Sequence, residues 1–467
     1  MTKQEVQQII HKQQDFFRSG KTLSAGLRIE YLRRLKETVV AYEDAIIEAS
    51  RKDSGRADVE TFFVEINATL DELAYALRNI RSWTKPQSVK TPLWLFRSRS
   101  AAYPQPYGNV LIFSAWNFPL SQLIIPLAGA IAAGNTAVLK PSPESPASAG
   151  VVAMVIKEVF PPEYAAVCMG GNDVSTLLLE ERFDYVFFTG SPRVGRIVME
   201  AAAKHLTPVT LELGGKSPAI IDEDADIDKA AKGIVWAKCY NAGQVCVAVD
   251  HVYVHSRLRQ QFLDAGIRYC KEFYGDDPLR SPDFSWIINE NNFNRAVAYL
   301  KEGTVVYGGQ VDIRKRLIAP TILTNIPENA KVLQEEVFAP ILPVLEFSDI
   351  STVIAGLKTK PKPLALYYFS KDPGKQQKII RETFSGGVTV NDVMAHGSSV
   401  YLGFGGVGNS GIGSYHGKKS FDTFTHYKSV LFNQVVYDPP LKYPPYHGKL
   451  SKIRNFFKFI RFAEKRG

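Results

Sequence analysis

"NVLIFSAWNFPLSQLIIPLAGAIAAGNTAVLKP", residues 109–141, is the stretch on which the fold turns. It opens with a short run apolar on both faces, "NVLIFS", which reads as a buried strand. "PLSQLIIPLAGAIAAGN" then reads as a helix stopped at Gly134-Asn135, and "TAVLKP" as the next strand. Outward from it the alternation continues. "SPASAGVVAMVIKEVF" is a helix with Ser145-Pro146 as cap and first turn, followed by the strand "YVFFTG", the helix "RVGRIVMEAAAKH" and the strand "VTLELGG". Two-sided apolar strands alternating with helices imply an α/β fold with a parallel sheet covered on both faces. Such sheets bind ligands beyond the carboxyl ends of their strands. Asn117, Lys140, Gly190, Ser191 and Glu212 all fall at strand ends or in the turns that follow.

A second α/β set runs from about 218 to 424, and its helix over 226–239 leads to "YNAGQVCVAVD", residues 240–250. Cys246 stands there at the edge of an apolar run just past a glycine, where it is either an inert thiol or a nucleophile. The first ninety residues carry apolar positions at helical spacing. Residues 84–108, rich in Pro, Ser and β-formers, read as a surface loop or as an extended hairpin that needs a partner.

A chain of 467 residues exceeds one compact core, so two or three domains are expected. The net charge of +9 is spread along the chain without a nucleic-acid signature, which argues against that class of partner. Four cysteines, Cys168, Cys239, Cys246 and Cys270, form neither a disulfide framework nor a zinc pattern. His251 and His255 in "HVYVH" alternate as on a strand, and no metal site is expected. The N-terminus lacks the apolar core of a signal peptide, and the longest apolar run, 123–134, is too short for a span. A cytoplasmic protein is the expectation.

Individual residues leave alternatives. Glu212, between Leu211 and Leu213 at the end of an apolar strand, is either a poorly solvated general base or an edge glutamate paired with Lys216. Asn117 offers an amide to a developing oxyanion or forms an Asx turn before Pro119. Lys140 is a ribose or phosphate ligand or a solvated lysine. Glu336 accepts ribose hydroxyls, with Phe338 bounding a ring, or is a charged turn. Gly190 and Ser191 form a phosphate-binding turn or a plain cap, because G-x-x-x-x-G is not the dinucleotide fingerprint. Seven glycines between 403 and 417 mean backbone packed close to something.

Taken together, Trp116 to Pro119, Leu139 to Ser142, Phe188 to Ser191, Leu211 to Lys216, Gly243 to Cys246 and Glu336 to Pro340 resemble, in order, the motifs of the aldehyde dehydrogenase superfamily. "SGGVTVNDV" and "FGGVGNSGIGSYHGKKSFDTFTH" are similar to its class 3 branch, which includes fatty aldehyde dehydrogenases. The resemblance implies NAD(P)-dependent oxidation of an aldehyde to its acid through a cysteine hemithioacetal and thioester. Cys246 is then the nucleophile, with a thiol pKa below the free value, Asn117 and the Cys246 N–H the oxyanion donors, and Glu212 the base. Lys140 and Glu336 hold the riboses, Gly190, Ser191 and Gly195 lie near the pyrophosphate, and Leu213 and Phe338 complete the cofactor contacts. The cofactor is NAD, with NADP possible, since Pro143 stands where a glutamate is usual. Phe404, His416, Phe118 and Tyr103 would line an apolar aldehyde tunnel.

The implied fold has a Rossmann-like NAD(P)-binding domain (1–85 and 107–211), a catalytic domain (212–424) and an oligomerisation arm (86–106 and 425–440) of a homodimer. Residues 441–467 form a basic amphipathic tail. Ile453, Phe456, Phe457 and Ile460 share one helical face, and seven basic groups from Lys449 to Arg466 set it up either to dock on the protein or to touch a membrane surface. A thiol such as coenzyme A in place of water, or a non-catalytic relative of the fold, are the competing readings; Glu212 argues against the first, and the presence of both Cys246 and Glu212 against the second.

Overall fold

The structure, a computed structural model, describes residues 1–433 and 438–464. Its first sheet has the order Gly411–Ile412, Val209–Leu213, Tyr185–Gly190, Asn109–Phe113, Thr136–Lys140, Ala165–Val167. All neighbours are parallel except the short Gly411–Ile412, which pairs antiparallel with Leu211 and Glu212. The strand order reverses between Asn109–Phe113 and Tyr185–Gly190. The crevice beyond that reversal is where a doubly wound sheet takes its ligand, and Ala115 to Asn117 and Gly190-Ser191 flank it.

The second sheet has seven strands in the order Thr304–Tyr307, Thr321–Thr324, Ile341–Phe347, His251–His255, Pro218–Ile221, Ala365–Phe369, Gly387–Val390. Only the first is antiparallel to its neighbour. A third sheet joins Gln87–Val89, Arg99–Pro106 and Thr425–Phe432, so the expected hairpin gains a strand from the far end of the chain. The part of the expected arm at 434–437 lies outside the described residues.

Local rules explain most elements. Helix Ser121–Ala133 is buried along its whole length and ends at Gly134, whose φ of 100° turns the chain so that the Asn135 N–H reaches back to the Ala130 carbonyl at 2.9 Å. Helix Pro146–Val159 begins at the proline as expected, but Ser145 makes no cap bond. The carboxylate of Asp53 caps it instead, accepting from Ala147 and Ser148 N–H at 3.0 and 2.8 Å. Helices Lys3–Arg18, Ala25–Ala41, Glu43–Ser54 and Ala68–Trp83 bear out the helical N-terminal reading. No helix among the described residues is long and apolar enough to cross a membrane.

Candidate active site

Helix Ile227–Cys239 hands over to a backbone that L-residues avoid. Asn241, Ala242 and Gly243 have φ of 48°, 53° and 73°, three left-handed residues in a row. Each non-glycine in that region costs about 1–2 kcal/mol, so the turn survives only where its surroundings hold it. Glu60 Oε2 accepts from Asn241 N–H at 2.9 Å. Gln244 Nε2 donates to the carbonyls of Asn241 and Trp286, each at 3.0 Å, while its Oε1 accepts from Ile288 N–H. A Cβ at Gly243 would stand 2.5 Å from the Ala339 carbonyl oxygen. The small and polar residues of "YNAGQ" thus build a buried turn that delivers Cys246.

Cys246 is half-buried where two cavities meet, whereas Cys168, Cys239 and Cys270 are buried. One cavity, about 320 Å³, is lined by Trp116, Asn117, Gly190, Ser191, Glu212 and Glu336 among others. The other, about 560 Å³, is lined mainly by apolar side chains including Phe63, Phe118, Ile125, Trp236, Val393 and Phe404. Burial, and then the carboxyl groups of Glu336 and Glu212, push the Cys246 thiol up to about 12. This runs against the low thiol pKa that the resemblance implies, because burial disfavours the thiolate and the neighbouring carboxyl groups add to that. In the protein alone the thiol keeps its proton.

Glu212 closes the first cavity. It is buried, neither carboxyl oxygen has a hydrogen-bond partner among the described residues, and burial raises its pKa well above the ordinary 4.5. The pairing with Lys216 does not occur. Lys216 turns away to Asp250 at 2.5 Å and to the Val332 and Glu335 carbonyls. Asn117 makes no Asx turn. Its Oδ1 accepts from Gln122 Nε2 at 3.0 Å and its Nδ2 donates to the Gln244 carbonyl at 3.1 Å, which fixes the amide with one N–H left for another acceptor.

The cofactor-side residues divide. Glu336 is half-exposed to the cleft, its Oε1 accepting from Gly215 N–H at 3.2 Å; burial and the nearby Asp250 raise it to about 7. A Cβ at Gly214 would lie 2.0 Å from the Glu336 carboxyl, so a side chain there would displace that carboxyl. Phe338 stands edge-on to Trp116 with ring centroids 5.5 Å apart, and Leu213 lies on the same wall. Gly190 and Ser191 line the cleft, and Ser191 also caps helix Pro192–Ala203 at 3.4 Å. Gly195 packs against Leu213 rather than lining the cavity. Lys140 is buried at its strand end, outside that lining, and donates to the Pro141 and Gly170 carbonyls, each at 2.8 Å. Its third N–H is uncommitted and no carboxylate pairs with it among the described residues. A buried cation with a spare donor, a carboxyl at a glycine-lined wall and an aromatic pair lining the same cleft as that carboxyl fit a nicotinamide dinucleotide.

Phe118, Phe404 and His416 line the apolar cavity as expected, but Tyr103 does not: it sits on the arm strand, with its ring beside Phe432. Tyr415 and Gln122, which line both cavities, and Arg295, whose Nη1 donates to the Glu336 carbonyl at 2.8 Å, were not read from the sequence. Spacing from a motif could have flagged Gln122 and Tyr415; nothing local marks Arg295.

Comparison with known proteins agrees with this geometry. The model of the aldehyde dehydrogenase family matches residues 1–430. The 4,4'-diaponeurosporen-aldehyde dehydrogenase of Staphylococcus aureus is 42% identical over 455 residues, covering 97% of this chain and 99% of that protein. The dimeric, NADP-preferring aldehyde dehydrogenase of Canis lupus familiaris is 39% identical, covering 96% and 99%. The solved substrate-bound state of Staphylococcus aureus AldH superposes with a TM-score of 0.94 at 41% identity, covering 97% of this chain and 99% of that one.

Proposed function

The chain belongs to the aldehyde dehydrogenase family, oxidises aldehydes to carboxylic acids and uses NAD or NADP, and we propose on that premise that Cys246, Asn117 and Glu212 carry the chemistry. One observation carries this reading: the half-buried thiol, the oriented amide and the unpartnered carboxyl line a single cleft. Cys246 Sγ attacks the carbonyl carbon once a base has taken its proton. Glu336 near 7 and Glu212 are the carboxyl groups in that cleft able to do so. The oxyanion is held by the free Asn117 N–H and the Cys246 backbone N–H. NAD or NADP, when bound, supplies the hydride acceptor, and a thioester remains on Cys246. Glu212 then takes a proton from water, whose oxygen attacks the thioester and frees the acid. A water-activating carboxyl favours hydrolysis over transfer to a thiol.

Lys140 and Glu336 are assigned the ribose hydroxyls, Gly190, Ser191 and Gly195 the pyrophosphate region, and Leu213 and Phe338 the ring contacts. Pro143 carries no charge to repel a 2′-phosphate, and Glu144 is drawn off to Asn289 at 2.9 Å, which supports use of NADP as well as NAD. The apolar second cavity supports a long or aromatic aldehyde. We assign residues 1–85 and 107–211 to cofactor binding, 212–424 to catalysis, and 86–106 with 425–440 to a homodimer arm whose apolar groups, Val89, Leu431 and Phe432, are exposed.

The tail is a helix over Leu450–Glu464; Lys465 and Arg466 lie outside the described residues. Ile460 is buried and Phe457 meets Trp94 of the arm at 6.4 Å, so one apolar face docks on the same chain. Phe456 and Phe459 stay exposed, and Lys452, Arg454, Lys458 and Arg461 have no ion pair among the described residues. That combination supports a peripheral contact with an anionic membrane surface. NADH and NADPH production over aldehydes of rising chain length tests the reading as a whole. Preference for short polar aldehydes would overturn the substrate class.

A further inference from the structure

The loops bearing Asn117 and Cys246 come from different sheets, yet their spacing decides whether one amide can reach an oxyanion on the other. Besides the bond from Asn117 Nδ2 to the Gln244 carbonyl, a side chain from outside both loops touches both. Helix Glu43–Ser54 ends at Gly55, with φ of 64° and Trp286 packed where a Cβ would be, and this turn sends Arg56 inward. Its guanidinium is 2% exposed. Nη2 donates to the Asn117 carbonyl and Nε donates to Asn241 Oδ1 at 3.2 Å. Nη1 lies 3.4 Å from Glu65 Oε1, and the guanidinium covers the Phe118 ring at 4.9 Å.

The counter-charge is itself anchored to the site. Glu65 Oε2 accepts from Leu120 and Ser121 N–H at 3.1 and 2.7 Å, in the turn that opens the helix bearing Gln122. Gln122 in turn holds the Asn117 amide and accepts from Ala115 N–H at 3.0 Å. A fixed planar fork is needed, because the two acceptors are met by two separate nitrogens of the guanidinium, Nε and Nη2; the single nitrogen of an ammonium does not reproduce that spacing.

We propose that Arg56 is a positioning residue that sets the spacing between the Asn117 amide and Cys246. The proposal rests on the assignment of those two residues above. Its effect falls on the attack of Cys246, where the oxyanion forms, and so on the hydride transfer that follows, and spares cofactor affinity, since Arg56 does not line the cofactor cleft.

The test is single-turnover formation of NADH or NADPH with enzyme in excess over aldehyde. Arg56→Lys is expected to slow it about 10- to 100-fold, the range a small misplacement of reacting groups causes. The amplitude and the cofactor Kd stay near those of the wild type. Asn241→Gly removes one acceptor while keeping a left-handed backbone, and serves where the lysine variant folds poorly. It should slow the same phase, and the double variant should be no slower than the worse single, as for one shared interaction. An unchanged rate with a reduced amplitude would make Arg56 only structural. An unchanged rate in Asn241→Gly, or additive losses, would overturn the coupling. Cys246→Ala separates the underlying reading: turnover surviving there would remove the nucleophile assignment whatever the Arg56 variants do.

Discussion

Replacing Glu212 with Gln tests two consequences of one buried carboxyl. Its oxygens have no partner among the described residues and burial raises its pKa well above 4.5. The unfolded chain releases this proton near 4.5, while the folded protein keeps it to higher pH. Between those values the native state holds one proton more than the unfolded state, so stability falls as pH rises. One proton corresponds to about 1.4 kcal/mol per pH unit. The wild type should therefore lose about that much per unit relative to Glu212→Gln above pH ~4.5, and level off once pH passes the folded pKa. Urea unfolding of both proteins at pH 5 and pH 6 reads the difference directly. A gap that does not change with pH would mean that Glu212 ionises as freely in the cleft as in water, and the reasoning from burial would fail.

The kinetic arm is independent of stability. A glutamine cannot take the proton from water, so thioester hydrolysis should slow roughly 10²- to 10⁴-fold. Hydride transfer needs no water and should survive as a stoichiometric burst of NADH or NADPH before a slow steady state. Equal loss of burst and steady state would assign Glu212 to deprotonating Cys246 instead.

Cys246→Ser should abolish turnover while cofactor Kd changes little, and Cys239→Ser should keep activity; the reverse pattern in a steady-state assay would move the nucleophile. Glu336, near 7, should hold ribose hydroxyls better as the carboxylate, so NAD affinity by titration should tighten about fivefold, ~1 kcal/mol, from pH 6 to pH 8. Glu336→Gln should flatten that profile. Removing residues 449–467 should lower binding to anionic vesicles and change turnover of long aldehydes more than short ones; proportional changes without vesicle binding by the intact protein would make the tail a stability element.

Much of this was legible in the sequence, and for a physical reason. Strands such as Asn109–Phe113, buried on both faces, are apolar throughout after their first residue, so little blurs their pattern, and Gly134 marks a helix end by backbone geometry alone. What the sequence hid was every interaction whose partner lies far along the chain. Ser145 looked like a cap, but a carboxylate from position 53 does the work. Glu212 looked able to pair with Lys216 four residues on, yet adjacent residues on a strand and its following turn can point apart, and Lys216 found Asp250.

The candidate site concentrates features that local rules disfavour: a left-handed run at Asn241 to Gly243, a carboxyl without a partner among the described residues at Glu212, and a thiol pushed up by burial and then by neighbouring carboxyl groups at Cys246. Each is unfavourable alone, and proteins keep such features where function needs them. Of their supports, Gln244 lies inside the Gly243-to-Cys246 motif, but Glu60 and Arg56 occupy no motif that composition or spacing marks. Arg56 and Asn241 are 185 positions apart, so the hydrogen bond between them has no local signature. A sequence shows the reacting groups because their chemistry restricts the residue type. The groups that hold them are restricted only by the folded shape, and they emerge when the two sheets are brought together.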